Sequence, residues 1–185
     1  MKDSGLLISP QACCLVLIDV QEKLSAVMHE RAGLIRNCAL LIQIAHAFEI
    51  PVLWCEQAPK ALGPTVSDLK DLLCGSSPIE KTSFSGCRVE AFVKRLEEID
   101  RPIVILCGIE SHVCVYQTAA DLIDRGRRVH VIADAVSSRT RENKEIGLAR
   151  ISRDGAVVSS TEMLLFELLK DARHEKFRQL AALIK

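Results

Sequence analysis

Short apolar segments alternate with longer amphipathic segments along most of the chain, and this alternation narrows the folds open to it. Residues 13–20 are apolar on both faces until Asp19, as expected of a strand covered by helices on both sides. Residues 34–48 carry apolar side chains at spacings of three and four, which predicts a helix. Repeated strand–helix–strand units favour parallel pairing with right-handed crossovers. We therefore predict a three-layer α/β/α sandwich built on one six-stranded parallel sheet.

The same patterns place the remaining elements. Further strands are predicted at residues 52–55, 102–108, 128–135 and 156–159. Further helices are predicted at residues 67–73, 89–99, 112–125, 140–154, 161–169 and 174–184. No internal repeat or linker interrupts this succession, so we predict a single domain over residues 1–185.

Composition excludes several classes of partner. Lys and Arg number 24 and Asp and Glu also number 24, so no net charge attracts the chain to nucleic acid or acidic lipid. Aromatic residues make up only 4%, which is too few for extensive base stacking. The longest apolar run covers residues 12–18, far short of the roughly 20 residues of a membrane span. Residues 1–5 have no signal-peptide pattern.

The cysteines suggest reduced thiols rather than a disulfide framework. The chain has 8 cysteines, and most of them lie inside apolar segments, where a free cysteine packs as a small hydrophobic residue. No CxxC pair and no zinc-ligand spacing is present. We therefore expect a cytoplasmic protein without a metal or other cofactor.

Candidate catalytic residues follow from the topology, because ligands of parallel sheets bind at the carboxyl ends of the strands. Asp19 closes the first predicted strand, where partial burial would raise its pKa toward that of a useful base, although a helix cap is an equal alternative. Cys114 follows the segment at 102–108 and starts a predicted helix. Helix N-termini lower thiol pKa values, so we expect Cys114 to be the reactive cysteine among others that are structural.

Two further polar residues lie near these positions. Lys81 is part of a polar segment between Pro78 and Gly86, and on its own it would be assigned to a solvated loop. His112 lies two residues before Cys114, but at a helix start such a residue usually points elsewhere, so a cap or surface role is favoured. Neither residue carries a functional assignment from its position alone.

Taken together, three motifs resemble the isochorismatase-like cysteine hydrolase superfamily. They are Asp19 in a strand–Asp–x–Gln setting, Lys81 before residues 82–85 (TSFS), and Gly108 followed by Cys114. The resemblance in order and spacing runs from about residue 13 to residue 160. Within the superfamily, residues 56–65 (EQAPKALGPT) and 107–110 (CGIE) look like the isochorismatase-domain-containing branch.

The resemblance implies a role for each matching position. Asp19 would be the general base and then the general acid, and Cys114 would be the nucleophile. Lys81 would maintain the arrangement of charges around them. A non-proline cis peptide would join Ile109 and Glu110, and the N–H groups of Glu110 and Cys114 would form an oxyanion hole. The superfamily also leads us to expect a homo-oligomer. Substrate-lining positions are expected at Gln21, Trp54, Phe84 and Ile109, although core packing is an equal alternative for Trp54 and Phe84.

Two departures from the superfamily narrow the expected chemistry. Nicotinamidases carry an Asp-x-His metal motif after the second strand, whereas residues 55–58 here read CEQA without a histidine, so no catalytic metal is expected. True isochorismatases cleave a vinyl ether and lack the nucleophilic cysteine. Cys114 therefore favours cleavage of a small amide or carbamoyl C–N bond. Vinyl ether hydrolysis, or a non-catalytic oligomeric binding module with a vestigial site, are the alternatives.

Overall fold

The computed structural model describes residues 7–184, and within that range six strands form one parallel sheet. The strand order across the sheet is β3-β2-β1-β4-β5-β6. The strands are β1 (Cys13–Ile18), β2 (Val52–Gln57), β3 (Ile79–Lys81), β4 (Ile103–Ile109), β5 (Arg128–Ser137) and β6 (Val157–Ser159). The segment at residues 1–5, where we saw no signal-peptide pattern, lies outside the described residues.

Helices connect the strands. They are α1 (Glu22–Ser25), α2 (Arg31–Ala47), α3 (Pro59–Leu62), α4 (Ser67–Lys70), α5 (Glu90–Ile99), α6 (Tyr116–Asp124), α7 (Arg141–Arg153), α8 (Thr161–Leu169) and α9 (Phe177–Ala181). Short 3-10 turns cover Pro10–Ala12, Asp71–Leu73, Gly86–Arg88 and Ala182–Ile184, and a π-helical turn covers Ser111–Val115. In the part of the chain that the structure describes, no helix is long and apolar enough to cross a membrane.

Two apolar layers cover the two faces of the sheet. Alternate residues of β1 point to opposite faces, so Leu15 and Leu17 pack in one layer while Val16 and Ile18 pack in the other. Both sets are buried, because parallel sheets carry helices on both sides. The predicted α/β/α sandwich with a six-stranded parallel sheet is confirmed.

Strand β3 is the element that the sequence pattern did not locate. It has three residues, Ile79–Lys81, and only Lys81 is fully enclosed, so it carries no apolar run. Its pairing with β2 defines it instead, because Glu56 aligns with Glu80 and Gln57 aligns with Lys81. Lys81 therefore ends a strand at the carboxyl edge of the sheet and does not lie in a solvated loop.

The C-terminal helix is shorter than predicted. The predicted helix at 174–184 is α9 followed by a 3-10 turn. Leu180 is buried in the core, and Phe177 and Ile184 pack against the same layer. These three apolar side chains therefore pack within the chain.

One glycine allows β1 and β4 to end side by side. Gly108 pairs with Ile18 and has a φ of +114°. A Cβ atom at this position would overlap the carbonyl oxygen of Ile18. Gly108 thus permits a close backbone approach between the two strands that lead to Asp19 and to the Cys114 turn.

Candidate active site

Asp19 follows β1 directly and has a left-handed backbone conformation, with a φ of 53°. Such a conformation costs a non-glycine residue roughly 1–3 kcal/mol and is concentrated at functional sites. The Asp19 N–H donates to the Cys55 carbonyl at 3.1 Å, which fixes the turn to the end of β2. The side chain is fully buried at the carboxyl edge of the sheet.

Lys81 reaches Asp19 from the end of β3. Its Nζ donates to Asp19 Oδ2 at 2.6 Å, and both side chains are fully buried. β2 lies between β1 and β3 in the sheet, and its register places Gln57 beside Lys81. The structure therefore joins two of the three expected catalytic side chains in a buried ion pair.

Gln57 is a residue of the site that the sequence analysis did not select. Its Oε1 accepts a hydrogen bond from Lys81 Nζ at 2.7 Å, and its Nε2 donates to the Thr82 carbonyl at 2.8 Å. The carbonyls of Phe84 and Ser83 also accept from Lys81, at 3.1 and 3.3 Å. The sequence held one available signal, which is that Gln57 ends the strand next to the lysine.

Cys114 lies in the π-helical turn between β4 and α6 and is 7% exposed. A buried hydroxyl network holds this turn, since the Ser111 and Ser138 hydroxyls lie 2.6 Å apart and His112 Nδ1 lies 3.0 Å from the Ser138 hydroxyl. On its outer side, Gly147 of α7 leaves no room for a Cβ beside the turn. His112 is half-buried and hydrogen-bonded to Ser138, so it neither caps the helix nor lies free at the surface, the two roles that had been expected.

Electrostatics in the site differ from the expectation for a helix N-terminus. Burial, and after it the negative charge of Asp19, raises the pKa of the Cys114 thiol from 9.0 to about 12, and the Lys81 ammonium only partly opposes this. The expectation of a lowered pKa is wrong, because Cys114 lies inside a closed site next to a carboxylate. The side chain of Cys114 is therefore a thiol at neutral pH.

The two oxygens of Asp19 have different environments. Oδ2 accepts from Lys81, whereas the buried Oδ1 has no hydrogen-bond partner among residues 7–184. The Asp19 carboxyl and the Cys114 thiol lie close enough for each to change the pKa of the other. Burial raises the pKa of Asp19 above its ordinary 3.8, and the Lys81 charge opposes that rise. Oδ1 is thus available as a base for the thiol proton.

The backbone before Cys114 provides candidate oxyanion donors. The Ile109–Glu110 peptide bond is cis, and the Glu110 carbonyl accepts from the N–H groups of Val113 and Val115. The Glu110 carboxylate accepts from the N–H and Nε of Arg139 at 3.1 and 3.2 Å, which anchors this residue to the end of β5.

The side chains of Gln21 and Trp54 are both buried and hydrogen-bonded to other groups of the chain. Gln21 is fully buried, its Nε2 donates to the carbonyls of Gln57 and Gly63, and its Oε1 accepts from the Gln57 N–H. Trp54 packs in the apolar layer opposite the one that contains Cys114, and its Nε1 donates to Ser76. Both residues were expected to line the substrate, and the structure gives their polar side-chain atoms partners within the chain.

Phe84 and Ile109 have different relations to the site. Phe84 contributes its carbonyl to Lys81, and its side chain is 52% exposed, so it remains available to a ligand. Ile109 is buried in the core, and its backbone, rather than its side chain, borders the candidate oxyanion hole.

Glu56 is the acidic residue at the position of the nicotinamidase metal motif. Its Oε1 accepts from the N–H and the hydroxyl of Thr65 at 2.7 and 2.8 Å, so it ties the loop after β2 to the site. In the described stretch, no group of three or more His, Cys, Asp or Glu side chains is arranged to hold a metal ion. Glu56 is therefore held as a structural carboxylate.

Comparison with known proteins identifies the family of the chain. The isochorismatase domain model matches residues 13–163. Isochorismatase domain-containing protein 2 of Danio rerio is 38% identical over 178 residues, which cover 96% of this chain and 89% of that protein. The Homo sapiens protein of the same name is 38% identical over 179 residues, covering 95% and 84%. The chain belongs to the isochorismatase family.

Solved structures show the same fold. MAR1 ribonuclease from Caenorhabditis elegans is 37% identical and superposes with a TM-score of 0.90 over 97% of this chain and 92% of that chain. The YcaC gene product of Escherichia coli, an octameric hydrolase of unknown specificity, is 24% identical with a TM-score of 0.92, covering 99% and 91%. The suspected family and the fold are both confirmed.

Proposed function

We propose that the chain is a hydrolase that cleaves a small amide or carbamoyl C–N bond through a thioester on Cys114. The observation that carries this proposal is that the two carboxylate oxygens of Asp19 have different environments. Oδ2 is bound to Lys81 at 2.6 Å, Oδ1 is buried without a partner, and the Asp19 carboxyl lies near enough to the Cys114 thiol to raise its pKa. A thiol next to an unoccupied carboxylate oxygen is the arrangement that general-base activation of a nucleophile requires.

The first half of the reaction forms the thioester. The Cys114 sulfur attacks the carbonyl carbon as its proton passes to Asp19 Oδ1, because a thiol of raised pKa is deprotonated only during attack. The carbonyl electron pair moves onto oxygen, where the N–H groups of Glu110 and Cys114 stabilise it. The C=O bond then re-forms and the C–N bond breaks, while the nitrogen takes the proton from Asp19.

The second half releases the acid. Water attacks the thioester carbon and gives a proton to Asp19, the C–S bond breaks, and the leaving thiolate takes that proton back. The Lys81 ammonium takes no part in these proton transfers and stabilises the ionised form of Asp19 from 2.6 Å. The proton balance therefore needs no group besides Asp19.

The proposal also covers the cellular compartment, the class of substrate and the oligomeric state. All eight cysteines are unpaired, which fits a reducing compartment such as the cytoplasm. The name of the C. elegans relative assigns it a ribonuclease activity, whereas the equal numbers of acidic and basic residues here favour a small molecule over RNA. We also propose a homo-oligomer, because the E. coli neighbour is an octamer, and light scattering tests this.

Turnover on a panel of substrates tests the proposal. The panel contains small amides, carbamoyl compounds, isochorismate and single-stranded RNA, and it is run with the wild type, Cys114→Ala and Asp19→Asn. Release of ammonia or amine by the wild type, lost in both variants, supports the proposal. Isochorismate cleavage that survives Cys114→Ala would establish ether hydrolysis instead. Absence of any turnover by the folded wild type would favour the binding module.

A further inference from the structure

A groove with an apolar lining runs along one side of α8. Its volume is about 610 Å³, and the side chains of Leu7, Met163 and Phe166 line it. All three are exposed, although large apolar residues usually lie inside a protein. Polar residues form the rim of the groove, namely Ser160, Glu162, Glu167 and Lys170. An exposed apolar patch with a polar rim is typical of a surface that binds another protein.

Strand β6 extends this apolar surface. It is an edge strand of the sheet, and among residues 7–184 it pairs with β5 alone. Val157 and Val158 are both exposed, and Val158 stands two residues before Ser160 at the rim of the groove. Edge strands are often protected by a charged residue or a proline, and β6 contains neither. The apolar surface therefore continues from α8 onto the edge of the sheet.

Two groups of opposite charge at the rim lack partners within the described part of the chain. The buried Oε2 of Glu167 accepts a hydrogen bond from no described residue. Burial raises the pKa of Glu167, and the charge of Arg128 only partly opposes that rise. Lys170 follows the last residue of α8 with a φ of 60°, and its ammonium makes no ion pair or hydrogen bond with residues 7–184. The rim thus presents a carboxylate oxygen and an ammonium that can each take a further partner.

We infer that this surface, formed by the groove and the exposed residues of β6, is where a second copy of the chain binds. A twofold axis places Lys170 of each copy against Glu167 of the other, so the same pair forms twice. The ammonium supplies the donor that Glu167 Oε2 lacks, and Met163 and Phe166 pack across the axis.

The inference rests on the homo-oligomer proposed above and goes beyond it by locating the contact. It is independent of the proposed hydrolase activity, because the buried face of α8 packs in the apolar layer opposite the one that contains Cys114. A failure of either proposal therefore leaves the other to its own test.

The charges on the rim favour a second copy over other partners. Glu162 and Glu167 would repel the phosphates of a nucleic acid or of an acidic membrane surface. An acidic peptide would leave Glu167 without a donor, and a basic peptide would leave Lys170 without an acceptor. A partner surface that carries both charges satisfies both residues, and a second copy of this surface does so by symmetry.

Light scattering during size-exclusion chromatography measures the mass of the assembly over a range of protein concentrations. Met163→Asp places a charge in the groove and should reduce the mass to about half or less. Val27→Asp is the matched control, because Val27 is 58% exposed against 57% for Met163 and does not line the groove. The control should keep the mass of the wild type, and thermal unfolding shows which variants are folded.

Exchange of the two charges gives a sharper test. Lys170→Glu sets two carboxylates against each other, and Glu167→Lys sets two ammonium groups against each other. Each variant alone should therefore have a dissociation constant at least about tenfold higher than that of the wild type. A mixture of the two variants restores both pairs of opposite charge, so it should recover the mass of the wild type. A substitution that only damages the fold would not be rescued by mixing.

Dissociation of Met163→Asp and of each charge variant, with recovery in the mixture, supports the inference. An unchanged mass of Met163→Asp, an equal loss of mass in Val27→Asp, or a mixture that does not recover overturns it. If Glu167→Lys does not fold, Lys170→Glu decides, since an unchanged mass contradicts the inference. A monomeric wild type overturns the inference together with the homo-oligomer, whereas turnover on the substrate panel decides the hydrolase activity separately.

Discussion

Lys81 Nζ lies 2.6 Å from Asp19 Oδ2, although the two residues are 62 positions apart in the chain. The strand order β3-β2-β1 brings them together, because each residue stands at the carboxyl end of its strand. Both side chains are fully removed from solvent, so each charge depends on the other for its stability. The pair therefore links the fold to the chemistry of Cys114.

Removing the cation should destabilise the protein strongly. Lys81→Met leaves the Asp19 carboxylate buried without its counter-charge, which should lower the free energy of unfolding by about 3–5 kcal/mol at pH 7. The double variant Asp19→Asn/Lys81→Met should lose less than Lys81→Met alone, since no unpaired charge remains. Urea unfolding measures both values.

The exposed pair Arg95–Glu98 provides the control for that comparison. Its atoms lie 3.3 Å apart at the surface, so Arg95→Met should cost less than about 1 kcal/mol. An equal loss from Arg95→Met and Lys81→Met would show that the buried pair does not stabilise the fold in the way described.

Asp19→Asn should make Cys114 more reactive while abolishing turnover. The carboxylate raises the pKa of the thiol, so its removal should increase iodoacetamide labelling at pH 9 by roughly threefold or more. Turnover should still fail, because no acid protonates the leaving amine. Peptide mass spectrometry measures the labelling in a Cys74→Ser background, which removes an exposed cysteine. Slower labelling of Asp19→Asn would contradict this electrostatic effect.

A methyl group on Gly147 should disturb the turn that contains Cys114. Its Cβ would lie 2.7 Å from the backbone nitrogen of His112, so α7 and the turn at Ser111–Val115 must move apart. Gly147→Ala should therefore destabilise the chain by about 1–3 kcal/mol and alter Cys114 labelling. The control is Gly33→Ala in α2, where a Cβ meets nothing within 4 Å, and it should stabilise the helix by roughly 0.5–1 kcal/mol. Equal effects of the two substitutions on stability and labelling would refute this packing argument.

His130 should make the protein less stable in mild acid. The residue is 2% exposed, and neither ring nitrogen has a partner within the described residues. Burial, with a smaller contribution from the charge of Arg128, lowers the pKa of His130 from 6.5 to about 4. Between these two pH values the unfolded state binds more protons than the folded state. The contribution of His130 to the free energy of unfolding is therefore fully present above pH 6.5, and the free energy of unfolding falls by up to about 3 kcal/mol toward pH 4.

His130→Leu isolates this effect. The variant lacks the titrating group, so its free energy of unfolding should fall less steeply than that of the wild type between pH 6.5 and pH 4. Chemical denaturation at a series of pH values gives both curves. Parallel curves would show that His130 does not contribute to the acid sensitivity.

The sequence predicted the sheet because its central strands are continuous apolar runs. β1 and β4 are buried along their whole length, and a run of that kind is visible without any tertiary information. β3 was not visible, because three residues with one buried side chain show no period. Its position depends on pairing with β2, which only the folded chain displays.

The site was predictable where a residue type and a strand end coincide. Asp19 and Cys114 have reactive side chains next to apolar strands, and Lys81 was selected only through its resemblance to a family motif. Gln57 was missed because a glutamine carries no chemical signal until its hydrogen-bond partners are known. Trp54 was assigned to the site because proximity in sequence to the strand end does not reveal which face of the sheet a side chain occupies.

The measurement that tests the central claim most directly is the mass of Cys114 during turnover. The wild type is mixed with an amide from the panel that it is known to cleave. The reaction is quenched in acid within the first turnovers, and the protein is digested and analysed by peptide mass. The account predicts the acyl mass on the peptide that contains Cys114, its loss after hydroxylamine treatment, and its absence from Cys114→Ala. Full turnover by Cys114→Ala, or an acyl group on another residue, would contradict the account.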